Sequence, residues 1–217
     1  MSGAEAVAIL GLISSVISIV DGTKQVYDAA SDTKGLPEAF REVAARLPIV
    51  RDILVSVKQH VDGGHTNRDS CEAAEKVVEK CEAKAQKLEK LFQNVIPADS
   101  ASRAKKYLLA VRTVGKGNRV ETLMKGILED LQLLAFEQGM VTKTHRQGKE
   151  LVKAIEELAA LQPSLSEHAT DEPAFSATHY GGGAINQSEG DQYNNLGNGQ
   201  FYKAQSMSFG QNGTPGR

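Results

Sequence analysis

The sequence has no tryptophan, and its five Tyr and six Phe make up only 5% of 217 residues. So few aromatics disfavour a stacking platform for nucleic-acid bases and suit a core of Leu, Val, Ile and Ala. Neither sign of charge dominates. Lys and Arg number 25 against 27 Asp and Glu, a net charge of -2, so there is no global basic field to draw the chain onto nucleic acid. Two cysteines cannot staple a secreted scaffold. No His-Glu-x-x-His, Gly-x-Ser-x-Gly, Cys-x-x-Cys or dinucleotide-binding fingerprint occurs, and the expectation is that the protein is not an enzyme. His60, His65, His145, His168 and His179 are scattered, without Cys or carboxylate partners at ligand spacing. No metal or cofactor is expected. Gly115-Lys116-Gly117 lacks the upstream Gly and the following Ser or Thr of a phosphate-binding loop.

What the chain does have is helical periodicity. Phe40, Val43, Leu47, Val50, Leu54, Val57 and Val61 form one apolar stripe, with Pro37 near its first turn and Pro48 inside, where a kink or a split is expected. Cys71, Ala74, Val78, Cys81, Ala85, Leu88, Phe92 and Val95 form a second, which makes both thiols small core residues. A third runs through Val120, Met124, Ile127, Leu131 and Leu134, continued by Leu151, Ile155, Leu158 and Leu161. A shorter helix around Ala104, Tyr107, Leu108 and Val111 lies between. The pattern predicts an all-α bundle of four to six helices over residues 1–161, ended by Pro163.

The N-terminal run from Ala6 to Val20 is uncharged for 15 residues and has no polar face. A helix of that length reaches roughly 22 Å, short of the ~30 Å hydrocarbon core, which disfavours a permanent span. Glu5 stands where a signal peptide carries positive charge, which disfavours a cleaved leader. Two readings remain. Either this is a core helix, or it is covered at rest and enters a membrane through Ala6, Ile9, Leu10, Leu12, Ile13, Val16, Ile17, Ile19 and Val20. In the second case Gly11, Ser14, Ser15 and Ser18 would allow close helix packing.

Between Ser100 and Val120 the sequence carries Arg103, Lys105, Lys106, Arg112, Lys116 and Arg119 and no acid. This is either a solvated helix face or a contact for anionic lipid. Residues 181–217 hold nine Gly, five Asn, five Gln and three Ser, too little apolar surface to order alone, so this tail is expected to be disordered in the monomer. Residues 162–180 read as a linker. Yet Phe175, Tyr180, Tyr193, Phe201, Tyr202 and Phe209 concentrate aromatics in this part of the chain, and Gln192-Tyr193 recurs as Gln200-Phe201 with Asn and Gly between. Stacked in register, such a segment forms amide ladders and stacked rings. Gly190, Gln192, Tyr193, Asn194, Asn195, Gly197, Gly199, Gln200, Phe201 and Tyr202 are the candidate amyloid residues.

Residues 3–61, from Gly3-Ala4-Glu5 through the hydrophobic start and Lys34-Gly35-Leu36-Pro37-Glu38-Ala39-Phe40-Arg41 to Leu47-Pro48, resemble the fungal SesA or HeLo-like domain. That domain also occurs at the N-terminus of fungal NOD-like receptors with NACHT or NB-ARC modules. The tail is similar to the prion-type amyloid motifs of the same systems, most like the sigma class, with the pseudo-palindromic class as the alternative. The resemblance implies a programmed-cell-death effector of the heterokaryon-incompatibility kind. In that reading a receptor with a matching motif templates the tail into amyloid, and the helical domain, led by Ala6 to Val20, then oligomerises and permeabilises the membrane. It implies a cytoplasmic protein at rest that moves to the plasma membrane on activation. Because residues 1–217 contain no nucleotide-binding site, the chain would be the effector half of such a pair. The rival expectation is a non-toxic helical adaptor or regulator that signals through the same homotypic tail contacts.

Overall fold

A computed structural model describes residues 3–64, 68–115, 117–136 and 145–166. Six α-helices follow one another: α1 (Gly3–Asp28), α2 (Glu38–Asp62), α3 (Arg68–Val95), α4 (Ser100–Val114), α5 (Val120–Phe136) and α6 (His145–Ala160). No strand occurs among the described residues. All of them lie in one compact unit, Met1–Glu172, whereas the linker beyond Ser166 and the whole tail motif lie outside the described residues.

The stripes become helix faces because their outward positions carry charge and their inward positions do not. Every member of the α2 stripe from Phe40 to Val61 is buried, as is every member of the α3 stripe from Cys71 to Val95. Pro48 does not split α2. It lies exposed while Leu47, Val50, Ile53 and Leu54 on either side are buried in the same core, so packing holds both halves of the helix together. On α4 the sequence pattern is off in two places: Ala104 is exposed and Leu108 only half-buried, and the inward positions are Arg103, Tyr107, Ala110 and Val111.

Helix contacts close a ring. α1 packs on α2, α2 on α5, α5 on α3 and α3 back on α1, with α4 set against α3 and α6 against α5 and α2. One end of the bundle is closed by aromatics: Phe40 lies 5.0 Å, centroid to centroid, from both Phe92 and Tyr107, and Tyr27 lies 6.1 Å from Phe92. Polar contacts tie helix to helix. Arg46, with its side chain only 7% exposed, holds Glu42 on its own helix and reaches Glu157 of α6 at 2.7 Å, while Lys84 of α3 pairs with Asp130 of α5. The Arg46 guanidinium holds the Glu42 carboxyl below its ordinary range. The stability this pair contributes is therefore present at neutral pH and is lost as pH falls through that lowered value.

Candidate functional site

The sequence measured the N-terminal run by its uncharged residues, but the helix does not stop where they do. Thr23 is buried, and Val26 and Tyr27 also pack on the core, so α1 continues to Asp28. By length and composition alone the helix Ala6–Asp28, with 23 residues and about 34 Å, is enough to cross the hydrocarbon core, with Asp21, Lys24 and Asp28 in its last third. The length objection raised by the 15-residue run therefore does not apply to the helix. A core helix passes the same length test, so the disposition of the side chains matters more.

That disposition is directional. Ile9, Ile13, Val16 and Val20 are buried at intervals of four, three and four, and each burial contributes about 2 kcal/mol to holding the helix in place. Ala6, Leu10, Leu12, Ile17 and Ile19 are half-buried on the shoulders of this stripe. Outward lie Val7 at 69% exposure, Ala8, Gly11 and Ser18. The nine expected membrane residues are thus divided between the core and its margins. Of the four small residues, Gly11 has nothing near it, Ser18 faces out, Ser14 donates to its own helix at the Leu10 carbonyl, and Ser15 donates to Glu82 of α3. Asp21 pairs with Arg51 of α2 at 3.0 Å. Two polar tethers and one apolar stripe therefore fix α1 against its neighbours.

The loop after α1 is clamped to the start of α4. Gly35 has φ of 73°, and a Cβ there would stand 2.2 Å from the Ser100 carbonyl oxygen, so only glycine fits. Pro37 then takes φ of −55° and ψ of 145° at the N-cap of α2, and its carbonyl accepts from the Phe40 N–H. Leu36 packs on the core. Arg103, 4% exposed, donates through Nη1 to Asp32 at 2.8 Å and to the Lys34 carbonyl at 2.6 Å, and through Nη2 to the Ile96 carbonyl at 3.1 Å. The guanidinium holds the Asp32 carboxyl below its ordinary range. A cleft of about 560 Å³ lies beside this clamp, lined by Asp32 and Arg103, which pair with each other, and by Asp99 at the N-cap of α4.

A second clasp joins the end of α6 to the α4–α5 corner. Ser164 donates through its backbone N–H to Glu121 at 3.0 Å and through its hydroxyl to the other Glu121 oxygen at 2.7 Å. The Tyr107 hydroxyl lies 2.7 Å from the same Ser164 oxygen and accepts from the Val120 N–H at 3.2 Å. Burial and the Glu121 charge push the Tyr107 phenol up to about 12, so it stays protonated. Leu161 and Leu165 also pack on the core. The first residues of the linker read from sequence at 162–180 are therefore anchored on the helical body. A chain ended after Leu161 is expected to be about 2–4 kcal/mol less stable than one ended after Ser166, because it leaves buried Glu121 without its Ser164 donors and strips Leu165. Urea unfolding of the two chains measures the difference.

Residues 13–134 match the family described as an N-terminal domain on NACHT NTPase and P-loop NTPases. The chain belongs to the SesA family. Neither curated proteins nor solved structures give a match. The SesA span begins at Ile13, inside α1, and ends at Leu134, near the end of α5. It includes the Gly35-Leu36-Pro37 turn and its Arg103 clamp, and it leaves out the first half of the apolar run, α6 and the tail.

Within the SesA domain the six bases of the expected lipid contact are not equivalent. Arg103 is internal and committed to the loop clamp, so in this conformation it is no part of a surface. Lys105 and Lys106 are exposed, Arg112 and Arg119 are half-buried, and Lys116 lies outside the described residues. Lys87 of α3, which lies outside the basic run, comes to Asn118 at 3.5 Å and joins the group from a neighbouring helix. Both cysteines are buried, and burial pushes the Cys81 thiol up to about 12, which suits a core residue rather than a nucleophile. No group of three or more His, Cys, Asp or Glu converges among the described residues. The candidate amyloid residues from Gly190 to Tyr202 lie outside the described residues.

Proposed function

We propose that this SesA protein is a non-enzymatic effector of signalling by receptors that carry NACHT NTPase modules. In this reading a receptor bearing a matching motif templates the tail into amyloid, and the assembled chains release α1 into a membrane, which becomes permeable. The protein would rest in the cytoplasm and act at the plasma membrane, as a step in programmed cell death.

The observation that supports this reading is the outward face of α1. A bundle helix needs apolar residues only on its inward stripe, and α2 and α3 follow that rule, with Arg41, Arg51 and Asp52 or Glu79 and Lys80 facing out. From Ala6 to Val20, α1 has no charge on any face, although Val7, Ala8, Gly11 and Ser18 are exposed. This composition exceeds what the core requires and matches what a bilayer requires.

The tail supplies the trigger in this proposal. A peptide of residues 181–217 is expected to convert on concentration into fibrils that bind an amyloid dye and diffract near ~4.7 and ~10 Å. A peptide that stays soluble and dye-negative would remove the trigger. Fibrils from a full chain that never permeabilises vesicles would favour the adaptor reading instead.

A further inference from the structure

We propose that the outward face of α4, with the corner that follows it, is a docking surface for anionic lipid that engages before α1 is released. It rests on the membrane reading above and adds to it the partner and the site of first contact. α4 lies against α3, and Tyr107 reaches inward to Phe40 of α2, but the opposite side of α4, with Ala104, Lys105, Lys106, Leu109 and Thr113, is exposed. No acid occurs between Ser100 and Val114. Lys105, Lys106 and Leu109 are exposed on this free side, Leu109 at 46%, one of only four large apolar side chains exposed among the described residues. Arg112 stands seven residues after Lys105, two helical turns on, and Leu109 stands four after it, so the three follow one side of the helix. At the C-terminal end, Asn118 caps the Val114 and Gly115 carbonyls at 2.9 and 3.2 Å and fixes the corner, and Lys87 reaches the same Asn118. The nearest exposed acid by sequence, Asp99, sits at the opposite end of the helix, at its N-cap.

The chemistry points to a lipid surface rather than to a folded acidic partner or a nucleic acid. The cations suit phosphate-bearing headgroups, and the single exposed leucine among them suits the acyl boundary below the headgroups. A nucleic-acid face would place stacking aromatics among its bases, and α4 has only Tyr107, which is fully buried. Arg103 does not contribute, because the α1–α2 loop holds it inside. Docking through α4 therefore leaves the clamp on α1 intact, and binding and permeabilisation are separate steps.

The test is sedimentation of the full chain with vesicles of phosphatidylcholine alone or with a third phosphatidylserine, reading dye release in parallel. Unseeded protein is expected to bind the anionic vesicles without releasing dye and to detach as salt is raised. Lys105→Ala with Lys106→Ala is expected to weaken binding about thirtyfold, with unchanged thermal unfolding. Leu109→Gln is expected to weaken binding several-fold while preserving its salt dependence. Binding that is indifferent to lipid charge or unchanged in the double variant would overturn the proposal, as would retention by an oligonucleotide in preference to anionic vesicles. Charge-dependent binding with no dye release even after seeding would keep the α4 surface and reject the permeabilising role of α1.

Discussion

A protein carrying Ser18→Arg is expected to fold as stably as the unsubstituted chain and to release vesicle contents roughly a hundredfold more slowly after activation. Ser18 is exposed on the outward face of α1, so an arginine there meets water in the resting bundle, and surface changes of this kind stay within about 0.5 kcal/mol. In the 23-residue helix Ala6–Asp28 the same position lies near the middle, where arginine costs about 2.5–3.5 kcal/mol in a bilayer. The two environments therefore respond oppositely to one side chain. Ile13→Arg cannot make this separation, because Ile13 is fully buried and its loss damages the bundle as well. Thermal unfolding and dye release on the same preparation read both effects. Undiminished release from folded Ser18→Arg protein would remove α1 from the membrane step.

Phe92→Ala is expected to lower the stability of the bundle by about 3–5 kcal/mol. Phe92 has no exposed surface and contacts the rings of Phe40 on α2 and Tyr27 on α1, so one truncation opens a cavity where three helices meet. It also removes two ring contacts beyond the lost apolar area. Since the neighbour lost on the α1 side is Tyr27, the same variant is expected to leak vesicle contents measurably before any seeding. Denaturant unfolding checks the first effect. An unfolding free energy within about 1 kcal/mol of the unsubstituted protein would show that this end of the core repacks around the gap.

The helices that were legible in the sequence are those whose faces contrast. On α2 and α3, apolar positions spaced by three and four alternate with Arg, Glu and Lys, so the periodicity identifies the buried side before any neighbour is known. On α1 that contrast is absent, and nothing local indicates that Ile9, Ile13, Val16 and Val20 turn inward while Gly11 and Ser18 turn out. The direction is imposed by the helices it packs on, α2 and α3. Arg103 was illegible for a related reason. A lone arginine in a basic run reads as surface, and only the fold brings Asp32 and the Lys34 carbonyl, some 70 residues earlier, to its guanidinium. Pro163 ends the helical period, as its missing N–H requires, but Ser164 and Leu165 then pack without any period to reveal them. The Gly35-Leu36-Pro37 turn was conspicuous as a motif, and its physical cause is a backbone approach to Ser100 that no local pattern encodes.

The most direct test of the proposed mechanism is dye release from anionic vesicles by the full chain, before and after adding preformed fibrils of residues 181–217. Release that is negligible before seeding, and that begins as the chain's own tail joins the fibrils, is the predicted result. Equal release with and without seeds, or complete incorporation into fibrils with the vesicles intact, would contradict it.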